Sequence, residues 1–412
     1  MRRADAAFDA GDRTLAERLY RQVVELDPDQ SRAVYRLGQL SRNDEEALRL
    51  FLRYTEIEPK DAWGWAAVGD KYLRLEKSVD AKDAYERAAG LAPNAEDIHE
   101  GLTRARLRAS PGIEPLFGYE GDSDGNRTWR AGLGADAAIR GGFHLGGRVS
   151  HANISHGLIS AQLDEASIRL EGRPNREVRT DLSLGLGRLA VPNTSSWITP
   201  VADLRLRWRS PEGAPAVEVR ARRLALGTTP FLLVNQAMRN EAQLSLELPL
   251  GIPRIRVGGR WGRIETAVEK ANTRLEFDAA AVLPMGWQGE FSVQYHRLGF
   301  SRLSKAGYFA PRLVETLEGG AYWDFGGENG VTASIDLGAG IQRLVLQKVK
   351  LAGSWKPALR AWGYLAADLS PAVQWRNEAE AYSAPFAPVG VVTSPNWRWF
   401  SIRSGILFRL SP

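Results

Sequence analysis

From Val201 to Arg209 the chain sets Asp203, Arg205, Arg207 and Arg209 at alternate positions, with Ala202, Leu204, Leu206 and Trp208 between them. Successive side chains of a strand point to opposite faces, so such a stretch has one apolar face and one charged face. Glu218 with Arg220 and Arg222, and then Arg254, Arg256 and Arg260, repeat the arrangement further along. Guanidiniums in a row offer planar forks of donors that match carboxylates, phosphates and sugar hydroxyls. This is recognition chemistry, suited to guiding a polar or anionic solute. Asp203, Glu218, Glu276 and Asp278 partly neutralise the row, and salt-bridged ladders of this kind also serve as structural filler.

Bond-breaking chemistry has little to work with. The chain has no cysteine, which removes disulfides, thiolate metal sites and cysteine nucleophiles. Its five histidines, His99, His144, His151, His156 and His296, are scattered. His151 and His156 read as lying in a loop, too loosely spaced for a metal motif. No nucleophile elbow, phosphate loop or HExxH helix occurs. The expectation is a protein that is not an enzyme and needs no cofactor or metal. The formal net charge is +5 over 412 residues, with 19 Lys+Arg against 21 Asp+Glu up to Ser110 and 35 against 28 beyond it. The basic residues form no tract, so nucleic acid is not an expected partner.

Those segments sit in the second of two differently patterned regions. The first carries Trp65, Val68, Gly69, Tyr72, Ala81, Tyr85, Ala88 and Pro93 at the spacings of a tetratricopeptide repeat. Small residues at Gly69 and Ala81 let paired helices approach, aromatic residues fill between them, and proline ends the second helix. Ala16, Tyr20 and Pro28 echo the second half of a repeat; Leu37, Gly38, Ala47, Phe51 and Pro59 make another. Residues 98 to 107 fit the capping helix that such stacks need. The first repeat opens without its Trp-Leu-Gly half and no secretion signal precedes it, so the reading is either a cytoplasmic chain or one lacking its natural N-terminus.

Ser110-Pro111-Gly112 ends the helical pattern, and the period changes from 3.6 to 2. About sixteen strand-like segments follow between 114–122 and 396–410, including 141–152 and 272–285, most of about ten or more residues. Strands in globular folds average about 5–6 residues, whereas a membrane barrel strand needs about 9–11. Short turns at Pro211-Glu212-Gly213 and Leu250-Gly251-Ile252 alternate with longer loops, and Trp397, Trp399 and Phe400 mark a strand end. The expected fold is α+β and multidomain: a tetratricopeptide solenoid over 1–110, then an antiparallel transmembrane β-barrel of about sixteen strands over 111–412.

Repeats joined to such a barrel resemble the exopolysaccharide-export porins of Gram-negative bacteria, in particular the C-terminal barrel of cellulose synthase operon protein C. Gly307-Tyr308-Phe309-Ala310-Pro311-Arg312 looks like that family's Gly-Tyr-aromatic-Ser-Pro segment, and Leu359 to Tyr364 follows in similar order. The resemblance implies an outer-membrane channel, with a polysaccharide chain as cargo and periplasmic repeats that dock synthase subunits. Membrane lipid would surround it. A surface-lipoprotein, other protein-translocating or receptor outer-membrane barrel is the alternative, the surface-lipoprotein assembly modulators having fourteen strands, and a soluble repeat scaffold with a β-sandwich is a further one.

Overall fold

The computed structural model describes residues 1–192, 196–211, 215–249, 251–326, 330–347, 353–383 and 398–410. Glu212, Gly213, Leu250 and Trp397, singled out above, lie outside the described residues. Seven helices come first: α1 (Arg2–Asp9), α2 (Arg13–Leu26), α3 (Ser31–Leu40), α4 (Asp44–Ile57), α5 (Ala62–Arg74), α6 (Ser78–Leu91) and α7 (Glu96–Ala109). Asp12, Asn43 and Asp61 cap α2, α4 and α5 by accepting from N–H groups of the first turn.

Packing between these helices explains the small-residue positions. The buried Tyr85 ring on α6 lies between Gly69 of α5 and Gly101 of α7. A Cβ added at Gly69 would stand 2.6 Å from that ring, and one at Gly101 would stand 2.2 Å from it. Phe51 on α4 meets Gly38 on α3 in the same manner, at 2.9 Å. Each glycine leaves the space that a neighbouring ring occupies.

Beyond Ala109 the chain enters sixteen strands. They are β1 (Gly112–Asp122), β2 (Asn126–Ile139), β3 (Phe143–His156), β4 (Ile159–Gly172), β5 (Val178–Ala190), β6 (Trp197–Arg209), β7 (Ala216–Ala225) and β8 (Met238–Leu248). The second half comprises β9 (Arg254–Glu265), β10 (Asn272–Met285), β11 (Gly289–Phe300), β12 (Leu313–Gly326), β13 (Val331–Val345), β14 (Lys356–Ser370), β15 (Val373–Ser383) and β16 (Arg398–Arg409). Each pairs antiparallel with its sequence neighbours, and β1 pairs with β16 from Gly112 opposite Arg409 to Asp122 opposite Trp399. The result is one closed sixteen-stranded barrel. That closure overturns the β-sandwich alternative, and the strand count is sixteen, not the fourteen of the surface-lipoprotein assembly modulators. His151 and His156 belong to β3 instead of a loop; polar residues near a strand end lower the contrast of the alternation by which strands are read. Among the described residues no helix is long and apolar enough to cross a membrane.

The two ends of the barrel differ. Turns at the end where β1 begins are short, such as 140–142, 286–288 and 371–372, whereas the far end carries 226–237 and 301–312. The helices sit against the short-turn rim: the Gly141 N–H donates to Asp80 at 2.9 Å and Arg173 reaches Glu76 at 2.9 Å.

The glycine geometry makes a prediction of two signs. Alanine normally favours a helix over glycine by about 1 kcal/mol. At Gly90, where nothing lies within 4 Å, Gly90→Ala should raise the thermal midpoint of the 222-nm helical signal. Gly69→Ala should lower it, because overpacking against the trapped Tyr85 ring costs about 1–3 kcal/mol. A Gly69→Ala midpoint equal to or above the parent contradicts this packing.

Candidate functional site

The pleat decides what faces the lumen. Leu204, Leu206 and Trp208 of β6 are exposed on the outer surface, so Asp203, Arg205, Arg207 and Arg209 point inward. The same parity turns Glu218, Arg220 and Arg222 of β7 and Arg254, Arg256 and Arg260 of β9 to the interior. All ten candidates from the sequence thus share the lumen surface.

Their arrangement is a paired ladder, not an open basic wall. Arg205 meets Glu218 at 2.7 Å, and Arg220 grips Asp203 through both Nε, at 2.9 Å, and Nη2. Arg222 pairs with Glu241, Arg254 with Glu247 and Glu290, and Arg256 with Glu247 at 3.5 Å. Arg260 reaches Glu276 at 2.7 Å, and Arg209 approaches Glu247 at 3.9 Å. Among the described residues, only Arg207 of the eight arginines has no carboxylate within 4.0 Å. The deepest members are Arg239, Glu241 and Arg274, which are buried, and Glu276, whose side chain is 6% exposed. Sequence reading placed Arg274 on the polar face of its strand but made neither it nor Arg239 and Glu241 a candidate, although they continue the alternation of β8 and β10. It missed them because burial in a lumen depends on what packs there, which no alternation reveals. Among the described residues no group of three or more His, Asp or Glu could hold a metal ion.

A second inward group lies across the seam where the barrel closes. Trp362 and Tyr364, two apart on β14, stack with planes 7° apart and centroids separated by 6.5 Å. Beside them Tyr382 of β15 stacks on Trp399 of β16 at 5.2 Å and 9°. Inward carboxylates border the rings: the Trp362 indole N–H donates to Glu378 at 2.9 Å and the Tyr382 hydroxyl donates to Glu380 at 2.9 Å. Tyr364 and Glu378 line an open cavity of about 550 Å³ together with Glu120, Arg130 and Arg403. Apolar ring faces beside hydroxyl-binding groups suit a sugar, whose C–H faces are apolar and whose edges are polar. The spacing of Trp362 and Tyr364 is the one sequence signal for this strip; its continuation onto Tyr382 and Trp399 needs the register.

Two loops turn into the far mouth and pack on its inner wall. Between β7 and β8 the chain turns inward as α8 (Pro230–Val234), whose N-terminus Thr229 caps. Leu233 packs with the inward Ile154, Leu163 and Leu189 of β3, β4 and β5. Leu232 packs with Ile264, Leu298 and Phe300 of β9 and β11, and with Tyr308 of the 301–312 loop. Gly307, Tyr308, Phe309 and Pro311, the family-like residues, therefore belong to this packing. Gly307 has φ +92° and sits where a Cβ would come 3.3 Å from Phe231. Burial pushes the Tyr308 hydroxyl up to about 12, and the Pro311 carbonyl accepts from the Phe300 N–H at 3.1 Å. The Asn235 amide fastens the two loops by donating to the Ala306 carbonyl at 2.8 Å.

Leu232 and Leu233 are each worth about 1.5–3 kcal/mol of burial. Replacing both with aspartate should release α8 and raise single-channel conductance several-fold, with the barrel intact. Unchanged conductance would mean that the loop does not obstruct the lumen.

The chain matches no protein-family model, and no curated protein sequence matches it. Among solved structures it is similar to a bacterial polysaccharide outer membrane secretin, with a TM-score of 0.51 and 9% identity over 73% of this chain and 99% of that one. At this identity the likeness is one of fold. MamA from Desulfovibrio magneticus RS-1 aligns over 26% of this chain and 61% of its own, at 24% identity and a TM-score of 0.25. The first tetratricopeptide domain of Spaghetti, bound to an HSP90 peptide, aligns over 25% of this chain and 85% of its own, at 18% identity and a TM-score of 0.24.

Proposed function

We propose that this chain is an outer-membrane channel for the export of a secreted polysaccharide, carrying out no catalytic step of its own. The observation that carries the reading is the inward aromatic strip of Trp362, Tyr364, Tyr382 and Trp399 inside a closed barrel. Stacking on rings tolerates sliding, because each sugar presents the same apolar face as the last. The paired lumen wall adds hydroxyl-binding donors and acceptors without a strong net charge that would arrest the chain.

Membrane placement is supported by the outer surface, where Leu184, Leu186, Leu204, Leu206, Leu317 and Leu337 stand exposed. On β13 the uncharged outward run from Val331 to Ile341 rises about 25 Å at a tilt of about 40°, the height of a hydrocarbon layer. Short turns at one end and long loops at the other agree with a bacterial outer membrane. The helical domain would then lie in the periplasm, its repeats docking synthase or modifying subunits. The kinship to cellulose synthase operon protein C rests on Gly307 to Pro311 and Leu359 to Tyr364, and the two loops packed in the far mouth narrow the resting channel.

The strip is testable without knowing the polymer. In channels opened by removing 226–237, linear oligosaccharides should block ion current, and Trp362→Ala with Tyr364→Ala should weaken that block about tenfold. Equal block by parent and variant would remove the strip from the sugar path.

A further inference from the structure

The outward positions of the sixteen strands show a second pattern. Every outward charged side chain of a described strand lies in the half of its strand nearer the far rim. Nearer the helical domain those positions carry apolar residues with a few small polar ones. At the far rim, Arg297 of β11, Glu315 of β12 and Arg343 of β13 stand directly opposite one another across three strands. Glu315 is taken by Arg343 and by the Tyr295 hydroxyl, which donates to it at 2.8 Å. Arg343 also lies 5.0 Å from the Trp355 ring centroid. Arg297 is exposed and has no carboxylate within 4.0 Å among the described residues. Leu317 and Ile341, both exposed, continue the surface below this row.

The row recurs around the barrel. His151, Asp164 and Arg188 stand opposite one another on β3, β4 and β5. Asp164 accepts from His151 at 2.6 Å and lies 3.5 Å from Arg188. An outer hollow lined by Leu133, Val149, Leu186 and Ile198 runs beneath. Arg223 and Arg263 share a third row with Asn240, bordered by Glu265. Arg127 and Arg398 complete the rim. Guanidiniums therefore exceed carboxylates on this belt, which otherwise faces only hydrocarbon below.

We propose that this outward belt, centred on Arg297 and Arg343, binds the phosphate groups of lipids in the leaflet at the far end of the barrel, with acyl chains lying on the apolar strips below. Guanidinium donors at the edge of a hydrocarbon layer need acceptors that reach them there. Lipid phosphates lie at that height, and a guanidinium fork takes two phosphate oxygens at once. Amphipathic ligands also explain the hollow beneath the charged row better than a free anion does. The proposal rests on membrane insertion and is independent of what the lumen carries.

Native mass spectrometry of the full chain released from detergent tests it, with bis-phosphorylated lipid A, the same lipid after dephosphorylation, and inorganic phosphate as probes. The phosphorylated lipid should stay bound, and the dephosphorylated lipid should be retained about tenfold less. Arg297→Gln with Arg343→Gln should reduce phosphorylated-lipid retention to a similar degree, in protein whose heat-dependent gel mobility shows a folded barrel. Equal retention of both lipids overturns the proposal without recourse to any variant. Full competition by inorganic phosphate at the lipid's own concentration would assign the belt to a free anion and overturn it too. Failure of the polysaccharide reading would leave each of these outcomes unchanged.

Discussion

The pairing of β1 with β16 is the constraint on which everything else depends. An open sheet of sixteen strands would leave two edges of unpaired N–H and C=O groups, a template for aggregation in water and untenable in lipid. Closing the ladder removes both edges and gives every residue a definite side. One-residue slippage would exchange the two surfaces, placing Arg205 outside and Leu204 inside. The register from Gly112 to Asp122 therefore fixes the lumen, the outer surface and the two rims together.

Charge in the lumen follows from the same parity. Arg239, Glu241 and Arg274 are buried and the Glu276 side chain is nearly so, in a place where an isolated ion would cost several kcal/mol. Each lies beside an opposite charge: Arg239 is 3.0 Å from Glu241, and Arg274 pairs with Glu276. Such a network contributes little to stability against an apolar core but strongly penalises the loss of one member. It stiffens the wall on the β8 to β10 side. The seam opposite, around Trp362 and Tyr364, keeps an open cavity. A salt-bridged wall on one side and a strip of aromatic rings on the other give the lumen two unlike faces.

Much of the barrel was legible because its outer surface is apolar over most of its height. The segment read at 272–285 is β10 to the residue, since Leu275, Phe277 and Leu283 alternate with Arg274, Glu276 and Asp278 without interruption. The segment read at 141–152 falls short of β3, which continues to His156, because the far rim is polar on its outer side. The arginine row was visible by type and in part by partner, since Asp203, Glu218 and Glu276 do pair with it, whereas Glu241 and Glu247 meet it only through the register of β8 with β7 and β9. Least legible was the packing in the mouth. Pro230 to Val234 has the apolar character of a strand, and only its contacts with Ile154 and Ile264 turn it inward. The Gly307 segment was noticed as a family-like motif, and its place there emerged from its packing against Phe231.

One closed barrel embedded in lipid is the central requirement, and electrophoresis in SDS tests it most directly. Purified in detergent and left unheated, the protein should migrate ahead of its 45.5 kDa position, and boiling should return it there as the strands separate. Identical mobility before and after boiling, together with solubility in detergent-free buffer, would contradict the closed membrane barrel and the readings of lumen and rim built on it.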